Sequence, residues 1–157
     1  MKLGAFLILN AMLICVPAWS QTQSVGPKDT FAASRLSAKE IHEIVGELEQ
    51  SAYDTPDSWQ KELRVKRVDL GTSPGLIVRG SHLLCGGTGN CQTWIFRKAG
   101  DKLVSLFPRD HVAIAEGFRL GPHLTGGIRD FTVFANSGAE SGQTVTYKFD
   151  GKFYRAK

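Results

Sequence analysis

The sequence predicts an α+β domain in which one N-terminal helix packs on a mainly antiparallel β-sheet. Three observations predict it. Apolar residues follow helical spacing once, between residues 37 and 52. After Trp59 they alternate, or gather in short runs bounded by Gly, Pro and Asp, which is the pattern of strands. Two stretches of that second part share one plan, so the sheet is expected to be built from two similar three-stranded meanders, as one curved sheet or two packed halves.

The chain opens with Met1-Lys2 and an apolar run from Leu3 to Ala18, with Ala18 and Ser20 at the −3 and −1 positions for a cut after Ser20. A basic start, an apolar middle and small residues before a cut are the parts of a secretory signal. The run is shorter than the ~20 residues a membrane-spanning helix needs, and no later segment is apolar enough to span. The expected organisation is a signal peptide over 1–20, a flexible leader rich in small and polar residues over 21–36, and a single domain over 37–157. The expected location is the periplasm or the outside of the cell. Removing 20 of the 157 residues leaves 137, enough to bury a core.

Ser37-Ala38-Lys39-Glu40 reads as a capping box, in which Ser caps the first turn and Glu reaches back to it. Ile41, Ile44, Val45 and Leu48 then recur along one helix face, and the helix should fade near Ala52, before Asp54-Thr55-Pro56. His42 and Glu43 fall off that stripe and are expected in solvent. Strands are expected at Leu63–Val65, Leu76–Val78, Trp94–Phe96, Leu103–Leu106, Val112–Ala115, Phe131–Phe134, Val145–Phe149 and Phe153–Tyr154. Asp150-Gly151, and more weakly Gly100-Asp101, signal hairpin turns.

The shared plan pairs Leu76-Ile77-Val78, a Gly-rich loop, Gln92–Lys98 and Lys102-Leu103-Val104 with Phe131-Thr132-Val133, a second Gly-rich loop, Gln143–Phe149 and Lys152-Phe153-Tyr154. Both central strands open with Gln-Thr. Trp94, alternating with Phe96, is expected in the core, because Val145 and Tyr147 take the matching places.

Cys15 leaves with the signal, so Cys85 and Cys91 remain as a pair in an oxidising compartment and are expected to form a disulfide. Closing so small a loop should contribute about 2 kcal/mol. Those two thiols and His82 would still lack a fourth zinc ligand. No metal and no cofactor are expected. The net charge of +4 falls to about +3 without the signal. The basic residues, Lys61, Arg64, Lys66, Arg67, Arg79, Arg97, Lys98, Arg109, Arg119 and Arg129, are scattered and read as solvated faces of strands. A nucleic-acid partner would call for a basic stripe with aromatics, so none is expected.

Gly71-Thr72-Ser73-Pro74-Gly75 has the Gly-x-Ser-x-Gly spacing of hydrolases, but that motif needs a helix after the serine, and here a strand follows. Asp69–Val78 also looks like a degraded version of the calcium loops of FG-GAP, integrin-type repeats. Only Asp69, Thr72 and Ser73 remain as oxygen donors, too few for a hard cation. The segment Cys85–Lys98 (Cys-Gly-Gly-Thr-Gly-Asn-Cys-Gln-Thr-Trp-Ile-Phe-Arg-Lys), with a looser echo at Phe149–Arg155, resembles a pattern that recurs in exported bacterial proteins. The resemblance implies a shared small scaffold and brings no activity with it.

No catalytic residue stands out. The expected function is therefore a non-catalytic binding module whose partner is a protein or small ligand in the cell envelope or outside. One alternative is an inhibitor of a secreted hydrolase such as lysozyme, since a rigid loop loses little entropy on docking. Another is an enzyme with a site assembled from distant residues, with His82, Asp110, His111 and Glu140 as its material. If binding is the function, the candidate loops are 82–91, presenting Thr88 and Asn90, and 136–142, presenting Asn136, Ser137, Glu140 and Ser141. The sequence leaves open whether they lie side by side.

Overall fold

A computed structural model of the chain describes residues 23–25, 30–48, 61–109, 111–136 and 142–157. The expected signal peptide, 1–20, lies outside the described residues, as do positions 49–52 of the expected helix. Among the described residues no helix is long and apolar enough to cross a membrane.

One helix and two antiparallel sheets build the fold. Helix α1 spans Ala38–Leu48 and starts on the expected capping box. The Glu40 amide donates to Ser37 Oγ at 3.2 Å, and the Ser37 amide donates back to Glu40 Oε2 at 2.9 Å. Within the span read as a leader, two segments are strands. β1, Gln23–Val25, pairs with residues 118–120, and β2, Phe31–Ala32, pairs with residues 64–65.

The first sheet runs β2, β3 (Leu63–Asp69), β4 (Pro74–Gly80), β5 (Cys91–Ala99), β6 (Lys102–Ser105), with β7 (Ala113–Ala115) also paired to β5. The second runs β1, β8 (Gly117–Thr125), β9 (Ile128–Ala135), β10 (Gln143–Phe149), β11 (Tyr154–Ala156). Of the two arrangements the sequence left open, the chain forms two sheets, each holding one of the two meanders.

Alternation along each strand decides what it packs against. In the first sheet, Leu76 and Val78 of β4 and Trp94 and Phe96 of β5 face α1, where Ile44 and Leu48 are 1 % exposed. Ile77 and Ile95 point the other way, into a core shared with Phe131, Val133 and Tyr154 of the second sheet. The order of layers is helix, first sheet, second sheet. β4 is consequently buried on both faces, which is why it reads as an unbroken apolar run.

The two meanders share a register. In the first, Val78 faces Trp94, Ile77 faces Ile95 and Leu76 faces Phe96 across the ladder. In the second, Val133 faces Val145, Thr132 faces Thr146 and Phe131 faces Tyr147. The sequence pairing slips at the last strand. Ala99↔Lys102 closes the first hairpin, and the Asp150 amide donating to the Phe153 carbonyl closes the second, so Phe153, not Lys152, corresponds to Lys102. Gly100 and Gly151 both begin their turns at positive φ, 63° and 105°. The sheets stack front to back. The face that the first sheet turns to α1 is matched, position for position, by the face that the second turns to the first. The remaining face of the second sheet carries Thr132 and Thr146, hydroxyls 3.2 Å apart, where the first sheet has Ile77 and Ile95.

Two expectations are corrected. Glu43 is not free in solvent: its side chain is 18 % exposed and accepts from the Leu103 amide at 2.9 Å. Arg79 and Arg129 are not solvated: they are 6 % and 7 % exposed. The Gly-x-Ser-x-Gly segment is, as expected from the strand that follows its serine, the β3–β4 turn. Its glycines are there for packing, since a Cβ at Gly71 would meet the Gly127 carbonyl at 2.6 Å and one at Gly75 the Phe96 carbonyl at 2.6 Å. Asp69 in that turn is held by Arg129 (Nη2 to Oδ2, 2.8 Å) and by the Gly71 amide, and the Arg129 hydrogen bond lowers its pKa.

Candidate functional site

The β4–β5 connection, residues 81–90, is the most elaborated loop in the described structure. A 3-10 turn over His82–Leu84 begins it, with His82 at φ +39°, a left-handed backbone that a non-glycine residue seldom takes. Leu84 is buried, whereas Leu83 projects with 70 % exposure. Cys85 and Cys91 then sit opposite each other as an antiparallel bridge, and their sulfurs are bonded. The bridge ties the loop's end to the first residue of β5. Inside it, the Gly86 amide donates to the Asn90 carbonyl at 2.8 Å and the Gly89 amide to the Gly86 carbonyl at 3.0 Å. Gly89, at φ +82°, makes the reversal possible.

The second candidate loop leaves β9 at Asn136, and the fold brings Asn136 against the first loop. Asn90 Nδ2 donates to the Asn136 carbonyl at 2.6 Å, and Asn90 Oδ1 accepts from the Asn136 amide at 2.7 Å. The same Nδ2 donates to Thr88 Oγ1 at 2.9 Å. Thr88, Asn90 and Asn136 are therefore brought together. Ser137, Glu140 and Ser141 lie outside the described residues, as does Asp110. His82 and His111 are exposed.

Sequence reasoning missed the residue beneath this junction. Arg79, near the end of β4, is buried, and its Nη2 donates to the Gly89 carbonyl and to the Glu116 carbonyl, both at 3.2 Å. Its Nε is buried with no hydrogen-bond partner. Burial pushes its pKa down, opposed by the charge of Glu116. The signal that could have found it is its place directly after Leu76-Ile77-Val78, in a strand enclosed on both sides.

A concavity of about 390 Å³ lies elsewhere, between the start of α1 and the first sheet. Its charges largely satisfy one another. Arg67 grips both oxygens of Glu40 at 3.0 and 3.4 Å, and with the Ser37 donors this draws the Glu40 carboxyl down to about 2. Lys39 bonds Asp101 at 2.6 Å. These contacts fasten the helix to β3 and to the β5–β6 turn. Compared with known protein families, curated proteins and solved structures, the chain matches none.

Proposed function

We propose that the chain is an exported, non-catalytic binding protein of the periplasm or extracellular space, and that it engages its partner with the platform made by loops 82–91 and 136–142. The observation that carries this reading is the Asn90–Asn136 pair, which fastens the first loop to the residue at which the second leaves the other sheet. Loops fixed on a rigid scaffold are the usual carriers of recognition. The disulfide supports it by limiting what the loop loses on docking. Leu83 supports a protein as the partner, because a large exposed apolar side chain on a braced loop suits an interface anchor. An inhibitor of a secreted hydrolase is a special case of this reading. We further read the two meanders as copies of one duplicated unit, supported by their common register.

The test is capture from envelope extract by the disulfide-bonded protein, followed by direct binding of whatever is retained. Leu83→Ser and Thr88→Arg should each abolish retention, and Lys98→Glu, at the distant concavity, should leave it intact. Retention that is indifferent to both loop variants overturns the platform.

A further inference from the structure

A guanidinium is rarely taken out of water without an anion to meet it, because the charged form is costly to desolvate. Arg79 departs from that rule. It is 6 % exposed, and although the charge of Glu116 acts on it, no carboxylate among the described residues forms an ion pair with it. Two backbone carbonyls share its Nη2, Nε has no partner, and Nη1 forms no hydrogen bond although it is not among the enclosed nitrogens. The Gly89 carbonyl ties the cation to the Gly86–Asn90 loop.

The loop carries a second, independent oddity. Gly89 needs its positive φ, but Gly86 and Gly87 do not have one. A Cβ at Gly87 would meet nothing within 4 Å, and one at Gly86 only ordinary contacts at 3.9 Å. Neither packing nor conformation demands glycine at either place. Bare glycine there does leave the backbone open to close approach by a ligand. The amides of Gly87 and Thr88 form no hydrogen bond within the described structure. They belong to the same short loop as the Gly89 carbonyl that Arg79 holds, and successive free amides can form an anion-binding concavity.

We infer that Arg79 Nη1 and the amides of Gly87 and Thr88 form a subsite for an oxyanion, a carboxylate or phosphate group carried by the partner. The inference rests on the platform reading and adds the chemistry that the platform selects. It also accounts for a buried guanidinium that Glu116 influences without pairing, and whose Nε and Nη1 form no hydrogen bond.

The experiment is an NMR titration of the folded, disulfide-bonded protein with sodium acetate, sodium phosphate and sodium sulfate in turn, sodium chloride holding ionic strength constant. Saturable shifts are expected at the Gly87 and Thr88 amides and at the Arg79 guanidinium. Stronger binding of acetate marks a carboxylate partner, and stronger binding of phosphate a phosphorylated one. Arg79→Met should weaken binding about tenfold, the loss of one charge-assisted hydrogen bond. Should that variant fail to fold, Gly87→Ala decides, because its methyl meets no protein atom. It should weaken binding while leaving thermal stability unchanged. Shifts that only follow chloride, or that persist in a folded Arg79→Met, overturn the subsite. If oxyanions do not saturate but capture still depends on Leu83 and Thr88, the subsite fails and the platform stands. If oxyanions saturate the site but capture is indifferent to the loop variants, the subsite stands and the platform fails.

Discussion

Asn90 commits both ends of its side-chain amide to the backbone of one residue, Asn136, donating at 2.6 Å and accepting at 2.7 Å. It thereby copies one rung of a β-ladder with a side chain, 46 positions apart in sequence. Removing it in Asn90→Ala should destabilise the fold by about 1–3 kcal/mol, two hydrogen bonds with partly buried partners. Asn90→Asp should do no better, since a carboxylate cannot donate to the Asn136 carbonyl. Chemical denaturation measures both, and a loss below about 0.3 kcal/mol would mean the loops are joined by something else.

The Cys85–Cys91 bridge should be present in protein purified from an oxidising compartment. Intact mass should rise by two hydrogens on reduction, and reduction should cost about 2 kcal/mol of stability. Two free thiols in the purified protein contradict the structure.

Ile44 is 1 % exposed between α1 and the first sheet. Ile44→Ala should cost about 2–4 kcal/mol, the range for deleting a large aliphatic from a core. His42→Ala, on the exposed side of the same helix, should stay within about 0.5 kcal/mol.

The Glu40 carboxyl lies at about 2, against an ordinary value of 4.5, chiefly because Arg67 bonds it. A depressed acid stabilises the folded state above its ordinary value and loses that contribution as pH falls toward its folded one. Between pH 4.5 and 2, therefore, the wild type should lose stability more steeply than Glu40→Gln. Parallel curves for the two proteins through that window would remove Glu40 from the account.

Tyr154 Oη donates to the Arg129 carbonyl at 2.6 Å inside the core, and burial pushes its phenol pKa up. Tyr154→Phe keeps the ring contacts with Phe131 and Phe107 and loses only that bond. It should cost about 1–2 kcal/mol by thermal or chemical unfolding. A neutral result would show the carbonyl to be satisfied without the phenol.

Much of this architecture was legible because its causes are local. Ser37 and Glu40 lie three residues apart, so their reciprocal cap is written in one turn. Ile41, Ile44, Val45 and Leu48 needed only helical period. β8 escaped because Gly117, Gly121 and Pro122 break the strand signal, and the structure absorbs two of them in an irregularity between Leu120 and Leu124. β1 and β2 are too short to carry any period. At the candidate site, the two loops were readable as polar and Gly-rich. Their meeting was not, because Asn90 and Asn136 are joined only after two separate sheets have packed. Arg79 was hidden by its type, since an arginine after an apolar run looks like the strand's return to water.

The front-to-back arrangement of the two sheets has the logic of a polymer with blocked ends. A layer whose front fits its own back can in principle add layers without limit, as head-to-tail contacts that do not close make filaments. Here α1 occupies the front of the first layer. The back of the last layer substitutes Thr132 and Thr146 for Ile77 and Ile95, which keeps the branched shape suited to a strand but wets the surface. Two hydroxyls thus act as chain terminators. Restoring isoleucine at both positions would rebuild the internal face on the outside of the molecule, and the protein would be primed to associate with itself.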